Sequence, residues 1–395
     1  MVFLDFLHHV TARQSLSAEQ AEQAMTLVLE GSATTPQLAA FLVALKMKGE
    51  TSAEILGFAR AMRARCSRVD AGAGPLVDTS GTGGDGQSTF NISTVAAFVA
   101  AGAGARVAKH GNRSLASHCG SADILEALGV NIALTPEQMG ACIRDVGIGF
   151  LFAPALHPAM KHAQPARAEL KMRTAFNLLG PLTNPAGARY QIAGAPSVEA
   201  AKLMAGALAE LGVERAFVVH GADGMDEITT TSATTMFDVR PGNVRRTEVT
   251  PNTFGVPAAR LRDLKAEDRE ANLRIARAVL DGESGAARDV ALVNASAVLV
   301  AVGLAPDFRS GTQLAAKSID SGAARDKLAK LVAAALPNSP TVSALPRLEN
   351  SRRAGRPLVP REHSNTIRRG TRPRRDTRSS LLASPARPCG RRCCS

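Results

Sequence analysis

A run of glycines and hydroxyl side chains occupies residues 78–94, in the order Asp-Thr-Ser-Gly-Thr-Gly-Gly-Asp-Gly-Gln-Ser-Thr-Phe-Asn-Ile-Ser-Thr. Glycines let the backbone approach an anion closely, and the helix predicted after them offers unpaired N–H groups and a positive dipole end. We therefore predict a phosphate or pyrophosphate site here. The alternative is a tight turn that needs its glycines only for positive φ.

The same glycines must also be tested against nucleotide-binding loops. Gly81, Gly83 and Gly86 satisfy the G-x-G-x-x-G pattern of dinucleotide sites. That interpretation needs an acid about 20 residues on to bind a ribose hydroxyl, but the chain has Arg106 to Lys109 there. No Gly-Lys-Ser/Thr follows the glycines either, so the run is not a Walker loop.

A second polar cluster, Lys-His-Gly-Asn-Arg at residues 109–113, ends the next predicted strand. Ligands bind at the carboxyl ends of strands in open α/β sheets. Lys109 carries the charge to neutralise a phosphate, and Asn112 has the groups to hydrogen-bond a planar substrate. A solvated loop is the alternative. Ser117 and Ser121 follow, and Gly120-Ser121 predicts the start of another helix.

Two further features concern charge. Asp226 and Glu227 are adjacent carboxylates in a loop after a predicted strand, and such pairs suit Mg²⁺, which usually bridges carboxylates to substrate phosphates. Arg167 precedes a segment dense in turn residues, and an arginine can bind a carboxylate through two parallel hydrogen bonds. Taken singly, an Asp-Glu pair on a loop is more often a solvated surface, although a nearby phosphate loop favours the metal site. Arg167 on its own is equally compatible with a helix surface.

The elements that must position these residues begin with helices. Ser17-Ala-Glu-Gln and Thr51-Ser-Ala-Glu are capping boxes, and Thr35-Pro36 predicts a cap followed by a first-turn proline. From residue 72 onward, strands predicted at 76–77, 106–108, 148–152 and 216–220 alternate with helices predicted at 93–101 and 198–211. This alternation indicates an α/β fold: a small all-helical N-terminal domain, then a large domain with a mostly parallel central sheet flanked by helices.

The net charge of +12 is concentrated at one end of the chain. After Leu336 there are 14 arginines, no lysine and three acids, whereas the first 336 residues hold 33 basic and 32 acidic residues. Charge therefore does not indicate a nucleic-acid partner for the body. The tail at 337–395 is rich in Arg and Pro, and we expect it to be disordered and the product of a shifted reading frame.

The composition also limits the class of protein. Apolar residues make up 45% of the chain, enough for a sizeable core. Met1 to Val10 carries Asp5 and two histidines where the apolar core of a secretory signal would run, and we find no apolar run long enough to span a bilayer. The cysteines at 66, 119 and 142 fit no metal site or disulfide framework. A cytoplasmic location is expected.

Six segments in order carry a family resemblance: Gly-Thr-Gly-Gly-Asp-Gly, Asn-Ile-Ser-Thr, Lys-His-Gly-Asn-Arg, Gly-Ser-Ala-Asp, Arg-Thr-x-Phe-Asn-Leu-Leu-Gly-Pro-Leu-x-Asn-Pro and Asp-Gly-x-Asp-Glu. Together, over roughly residues 5 to 336, they resemble the anthranilate phosphoribosyltransferases of tryptophan biosynthesis. The resemblance implies transfer of the phosphoribosyl group of phosphoribosyl pyrophosphate (PRPP) to the amine of anthranilate. It implies Mg²⁺, in two ions, and a homodimer formed through the helical domain.

The resemblance also implies roles at matching positions. The residues that would hold PRPP are Gly81, Gly84, Asp85, Thr89, Asn91, Ile92, Ser93, Thr94, Lys109, Ser117 and Ser121. Those that would hold Mg²⁺ are Ser93, Asp226 and Glu227. Those that would contact anthranilate or line its path are Gly81, His110, Asn112, His157, Arg167 and Pro181. No general base is implied, because an aromatic amine is already a nucleophile at neutral pH, and the difficult event is departure of a charged leaving group.

The implied domain limits are 1–70 for the helical domain, with helices from about 163–186 packing onto it, and 71–336 for the PRPP-binding domain. Two positions depart from the family pattern: Lys171 stands where glycine is usual, and Cys119 stands where serine is usual. Two rival functions share the resemblance. A pyrimidine nucleoside phosphorylase has the same fold, and a non-catalytic nucleic-acid-binding relative would use the arginine-rich tail. The neutral body and the anthranilate-side residues favour the transferase.

Overall fold

A computed structural model describes residues 1–113 and 119–336 of the chain. The predicted PRPP ligand Ser117 and the predicted disordered, frame-shifted tail at 337–395 lie outside the described residues. The described part contains an N-terminal group of helices followed by a seven-stranded sheet with helices on both faces. The predicted fold class is confirmed.

The N-terminal helices are α1 (Phe3–Thr11), α2 (Ala18–Leu29), α3 (Thr35–Lys48) and α4 (Ser52–Ala64). Local capping sets their starts, since the hydroxyls of Ser17 and Thr51 accept hydrogen bonds from the third residue of α2 and α4. The predicted cap of α3 was wrong by one residue. Thr34, not Thr35, accepts from the backbone of Gln37, because the Gln37 side chain can accept in return from the backbone N–H of Thr34, whereas a cap at Thr35 would face Leu38.

The strands are β1 (Val77–Gly81), β2 (Val107–Gly111), β3 (Ile148–Phe152), β4 (Tyr190–Gly194), β5 (Arg215–Gly221), β6 (Thr234–Arg240) and β7 (Asn243–Val249). Their order across the sheet is β3-β2-β1-β4-β5-β6-β7. The first five run parallel to one another, and β6 and β7 extend the sheet as antiparallel strands. Strands β4, β6 and β7 were not predicted, because β4 carries a polar glutamine inward and the other two alternate with charged residues.

Within the described residues, twelve further helices cover the sheet: α5 (Ile92–Gly102), α6 (Ser121–Ala127), α7 (Pro136–Val146), α8 (Ala153–Leu156), α9 (Gln164–Leu170), α10 (Phe176–Leu179), α11 (Val198–Glu210), α12 (Pro251–Phe254), α13 (Arg269–Leu280), α14 (Ala286–Ala301), α15 (Phe308–Asp320) and α16 (Ala323–Ala334). Three short 3-10 turns, Pro158–His162, Gly180–Leu182 and Leu261–Leu264, join them. Across the two described stretches, no helix has both the length and the apolar character needed to cross a membrane.

Two large apolar cores lie on opposite faces of the sheet. One contains α5 and α14, whose side chains are buried almost throughout. The other contains α1 to α4 together with α9, α10 and α11, and includes Phe176 and Leu179. The helical domain is thus attached to the sheet by a shared core rather than by a linker alone.

The order of the strands reverses between β1 and β4. The chain passes from β1 outward through β2 to β3, then returns to the other side of β1 to form β4. Gly81 and Gly194 pair at the carboxyl ends of these two neighbouring strands. Such a reversal leaves a crevice outside the strand ends, and ligands bind there in open α/β sheets.

Candidate active site

A cleft of about 440 Å³ lies at this reversal. The ends of β1 and β2, the start of α5 and the segment around α9 and α10 form its walls. The predicted site residues that line it are Gly81, Gly84, Asp85, Thr89, Asn91, Ile92, Ser93, Lys109, His110, Asn112, Ser121, Arg167, Pro181, Asp226 and Glu227. Residues from six separate sequence segments therefore meet in one cavity.

Two predicted residues do not line the cleft directly. The Thr94 side chain is buried inside α5, and its hydroxyl has no hydrogen-bond partner among the described residues. His157 lies behind His110, with 5.2 Å between the ring centroids. Any role of Thr94 in binding would therefore involve its backbone. Any effect of His157 on the cleft would act through its contact with the His110 ring.

Asp226 packs directly against the glycine-rich loop. Its Oδ2 accepts a 2.8 Å hydrogen bond from the backbone N–H of Gly83. A Cβ on Gly81 would lie 2.5 Å from Asp226 Oδ2, and a Cβ on Gly194 would collide with the Asp226 backbone. Two of the glycines therefore serve to admit this carboxylate at the ends of β1 and β4, a role separate from φ or phosphate contact.

The carboxylate of Glu227 lies against the start of α5. Its Oε1 accepts a 3.2 Å hydrogen bond from the backbone N–H of Ser93. The N–H of Thr94 donates to Asn91 instead. The prediction of unpaired N–H groups at this helix start therefore needs correction: the positive end of α5 already stabilises a carboxylate, as helix dipoles do.

Lys109 is buried beneath the same carboxylates. Its Nζ donates to the carbonyl of Thr79 and, at 3.2 Å, to the hydroxyl of Ser93. Only 3% of the residue is exposed. The lysine thus places a positive charge at the floor of the cleft, close to where an anion would sit.

Burial dominates the protonation of this group. Burial, followed by the charges of neighbouring carboxylates, raises the pKa of Asp226 to about 6 and that of Glu227 to about 8. Burial lowers the pKa of Lys109, and this decrease is opposed by the charges of Asp78, Glu227 and Asp226. Ionisation of both carboxyl groups is therefore unfavourable without further positive charge nearby, and an added cation would favour their charged forms.

The donor set suits magnesium. The described residues contain no cluster of three or more His, Cys, Asp and Glu side chains that could enclose a metal ion. They do provide the buried carboxylate of Asp226, the partly buried carboxylate of Glu227 and the Ser93 hydroxyl beside a phosphate-sized cleft. Mg²⁺ retains several waters and is held by one or two carboxylates plus substrate phosphates, so these residues fit it.

His110 lines the cleft, and His157 packs behind it. Nδ1 of His110 lies 3.1 Å from the carbonyl oxygen of Gly180, which can only accept, so that nitrogen carries the proton. Burial lowers the pKa of His110 to about 4 and, together with the charge of His110, that of His157 to about 3. Both rings are therefore neutral near pH 7, and in the described part of the chain neither Nε2 has a partner.

Arg167 faces the cleft from α9. Its guanidinium carbon lies 5.2 Å from the centroid of the Phe176 ring, a cation–π arrangement. No ion pair joins it to a carboxylate within the described residues, and burial lowers its pKa. A half-buried arginine held by an aromatic ring remains available for a carboxylate ligand.

The two departures from the family pattern leave the local backbone intact. Lys171 ends α9 in the left-handed conformation, with φ of 47°, which glycine adopts at no steric cost. Cys119 lines the cleft, and its carbonyl accepts a 3.3 Å hydrogen bond from the Asn91 amide. Burial and then the charge of Asp123 raise the pKa of its thiol to about 11, so the thiol is neutral.

Sequence reasoning missed several residues at the site. Arg173 donates to the carbonyls of Gly83 and Gly84, and it is the first residue of the Arg-Thr-x-Phe-Asn segment that carries the resemblance, where it received no role. Asp223 accepts hydrogen bonds from the backbone of Met225 and the Thr229 hydroxyl, which shapes the loop that carries Asp226. Asp223 is the first residue of the Asp-Gly-x-Asp-Glu segment, and its place in that motif was the signal that could have identified it.

The comparisons with known proteins follow the same division of the chain. The model of the glycosyl transferase family, helical bundle domain, matches residues 4–66, and that of the glycosyl transferase family, a/b domain, matches residues 73–325. The chain is 59% identical over 333 residues to "Anthranilate phosphoribosyltransferase" of Solibacter usitatus, covering 84% of this chain and 98% of that protein.

Solved structures are similar as well. Anthranilate phosphoribosyltransferase from Thermus thermophilus superposes with a TM-score of 0.80 at 42% identity, covering 84% of this chain and 99% of that one. The enzyme from Saccharomyces cerevisiae, in complex with PRPP and Mg, gives a TM-score of 0.77 at 27% identity, with 87% and 98% covered. The same yeast enzyme in complex with 4-fluoroanthranilate gives 0.76 at 27% identity, with the same shares covered.

Proposed function

This chain belongs to the anthranilate phosphoribosyltransferase family of glycosyltransferases, and we propose that the cleft between β1 and β4 is where it joins PRPP to anthranilate. In this reaction of tryptophan biosynthesis the bond from ribose C1 to the pyrophosphate oxygen breaks, and a bond from C1 to the anthranilate nitrogen forms. The nitrogen loses a proton, and pyrophosphate leaves. The relatives support this function over the phosphorylase and nucleic-acid-binding alternatives.

One observation carries the assignment of the site. Two adjacent carboxylates, that of buried Asp226 and that of partly buried Glu227, lie against the glycine loop and the start of α5, beside Lys109. Burying two like charges is unfavourable unless a cation or ligand compensates them. This arrangement therefore supports the binding of a metal-bound pyrophosphate at the site.

The pyrophosphate end of PRPP would lie along the glycine loop. Gly81, Gly84 and Asp85 line that wall with Thr89 and Asn91, while Ile92, Ser93 and Thr94 supply the helix start. Lys109 lies at the floor of the cleft and donates to the Ser93 hydroxyl, Ser121 also lines the cleft, and Ser117 is proposed on the resemblance alone. The positive charge of Lys109 and the dipole of α5 are already fixed in place, so they stabilise a leaving anion without reorganisation.

Mg²⁺, in two ions, would be held by Ser93, Asp226 and Glu227, and when bound it supplies charge that stabilises departing pyrophosphate. The support from this chain is the pair of buried carboxylates whose pKa values are raised. Support from relatives is the yeast structure in complex with PRPP and Mg.

The anthranilate end would lie between Arg167, Asn112 and Pro181. Arg167 is positioned for the carboxylate by Phe176. His110 is neutral, so it adds no charge next to the amine, and His157 packs behind it. Gly81 lines the junction of the two ends. The residues thus orient two substrates across the cleft, which is itself a large catalytic effect.

The helical domain, 1–70 with helices from about 163–186, is proposed to form a homodimer, and 71–336 to form the PRPP-binding domain. Leu4 on α1 and Met47 on α3 are apolar side chains that are 41% and 72% exposed. Apolar side chains on one domain surface are consistent with an interface. Sedimentation of the purified chain at micromolar concentration tests the dimer, and a monomer mass would contradict it. The cytoplasmic location stays a prediction.

The reaction is tested by the fluorescence of anthranilate. We expect the purified chain to deplete that fluorescence when PRPP and Mg²⁺ are both present, and EDTA to stop the depletion. A chain truncated after Leu336 separates an effect of the tail from the absence of the activity. No depletion by either chain would contradict the proposed function, and thymidine phosphorolysis and salt-dependent DNA binding would then be measured.

A further inference from the structure

Arg173 connects the anthranilate side of the cleft to the glycine loop. It lies in the segment between α9, which carries Arg167, and α10. Its Nη1 donates to the carbonyl oxygen of Gly83 at 2.7 Å and to that of Gly84 at 2.9 Å. A single guanidinium nitrogen therefore holds two successive carbonyls of the loop.

The loop conformation depends on such a donor. Gly83 and Gly84 are successive left-handed residues, with φ of 63° and 69°. Glycine occupies many backbone conformations at similar energy, so two in succession need external contacts to hold one orientation. Gly83 has two: its N–H donates to Asp226 at 2.8 Å, and its carbonyl accepts from Arg173.

Gly84 and Arg173 also fit each other sterically. A Cβ on Gly84 would collide with Nη1 of Arg173, whereas a Cβ on Gly83 or Gly86 would meet no atom within 4 Å. Gly84 therefore has two reasons to be glycine, its positive φ and the space that the guanidinium fills. Gly86, with φ of 75°, has only the first.

We propose that Arg173 is a positioning residue for PRPP, which fixes the peptide groups of Gly83 and Gly84 in the orientation that binds the pyrophosphate. The inference rests on the proposed function, because it places PRPP on the glycine loop. Arg173 also lines the cleft, and we assign its effect to the two loop carbonyls that it holds rather than to a contact with the substrate. Its loss therefore weakens PRPP binding and leaves anthranilate binding, which Arg167 and Asn112 control, nearly unchanged.

The test compares Arg173→Gln and Arg173→Lys with a matched control. Arg189→Gln is suitable, because Arg189 also donates to a glycine carbonyl, that of Gly212 at 3.3 Å, but outside the cleft. The loss of hydrogen bonds from a charged donor corresponds to a change of about tenfold or more in a binding constant. We expect Arg173→Gln to raise the KM and Kd for PRPP by about that factor, with the KM for anthranilate changed less than about twofold.

The Arg173→Lys variant distinguishes a positioning role of Arg173 from a general loss of structure. We expect Arg173→Lys to recover part of the PRPP affinity, since it keeps the charge and one donor direction. The control Arg189→Gln keeps both KM values. Equal increases in both KM values for Arg173→Gln, or none, would overturn the inference.

A double-mutant cycle measures the pair directly. Gly84→Ala and Gly86→Ala are each made in the wild-type chain and with Arg173→Ala, and PRPP binding is measured by calorimetry with Mg²⁺. In the wild-type background we expect Gly84→Ala to weaken binding more than Gly86→Ala. With Arg173→Ala the difference disappears, because the collision is gone. An unchanged difference overturns the inference.

Failure of the inference is distinguishable from failure of the proposed function. If the wild-type chain binds PRPP and consumes anthranilate but Arg173→Gln does both equally well, only the inference fails. If the wild-type chain does neither, the proposed function fails and the inference fails with it. Circular dichroism of each variant verifies that it is folded before either conclusion is drawn.

Discussion

Oδ2 of Asp226 lies 2.8 Å from the backbone nitrogen of Gly83, 143 positions earlier in the chain. Strand β5 leads to the loop of Asp226, and β1 leads to the loop of Gly83. The two strands flank β4, so both loops emerge at the same edge of the sheet. The candidate metal ligand and the candidate phosphate loop are therefore built as one unit.

Removing one of the buried acids separates turnover from binding. We expect Glu227→Gln to lower kcat by about tenfold or more, because it weakens the hold on the cation that stabilises the leaving group, and to change the anthranilate KM little. The variant needs a higher Mg²⁺ concentration for half-maximal rate. Steady-state kinetics with a Mg²⁺ titration measure both effects.

The matched control for that variant is Glu210→Gln, an exposed glutamate at the end of α11. Wild-type kinetics are expected from it. If Glu227→Gln kept the wild-type rate at limiting Mg²⁺, the assignment of Glu227 as a metal ligand would be wrong.

Removing Arg167 affects the other substrate. We expect Arg167→Ala to raise the anthranilate KM by about 10- to 100-fold, the worth of a charge-assisted hydrogen-bond pair, while the PRPP KM changes little. Arg260→Ala, which removes an arginine whose side chain is 72% exposed, is the control. An unchanged anthranilate KM would exclude Arg167 from the site.

Lys171 is expected to cost stability. Its left-handed φ of 47° is unfavourable for a residue with a Cβ. Lys171→Gly should therefore stabilise the chain by about 1 kcal/mol in urea unfolding. Lys171→Ala removes the same side-chain atoms but keeps the Cβ, so no gain is expected from it. Equal stabilities of the two variants would show that the backbone conformation is not the cause.

The buried histidines predict a pH dependence of stability. The pKa values of His110 and His157 are lowered to about 4 and about 3, so below pH 6.5 the unfolded chain binds protons that the folded chain does not. The free energy of unfolding then decreases as the pH falls from about 6.5 toward 4, by up to about 1.4 kcal/mol per pH unit for each histidine. Above pH 6.5 neither contributes.

Urea unfolding between pH 4.5 and 7.5 measures this slope. We expect His157→Gln to reduce the slope by the share of one histidine, and His162→Gln, which removes an exposed histidine, to leave it unchanged. Because other groups titrate in the same range, the difference between variant and wild type is the informative quantity. Parallel curves for His157→Gln and the wild-type chain would contradict the assignment.

The sequence predicted the parts of this fold that local physics controls. The boxes at Ser17 and Thr51 marked helix starts, and the glycine-rich run marked a loop before α5. Those signals depend on neighbours within a few residues, so they can be recognised in the sequence alone. The antiparallel pair β6 and β7 was missed, because its stability comes from β5, which its own residue pattern does not describe.

The residue types of the candidate site could also be identified from the sequence, because the chemistry of carboxylates, glycines and lysine is known from their structures. The relations among these residues could not. The sequence indicated that Gly81 and Gly84 would admit an anionic ligand, whereas the folded chain uses Gly81 to admit Asp226 and Gly84 to admit Arg173. A contact across roughly 90 or more residues depends on the order of strands in the sheet, which is settled by packing of the whole core.

The electrostatics of the site were likewise predicted only in part from the sequence. The sequence by itself determined how many ionisable groups the site has and that the body is nearly neutral. Only the tertiary structure decided that Glu227 and Lys109 are buried together, and burial is what moves their pKa values. Desolvation has no signature in a linear chain, because it depends on which other segments exclude water from the group.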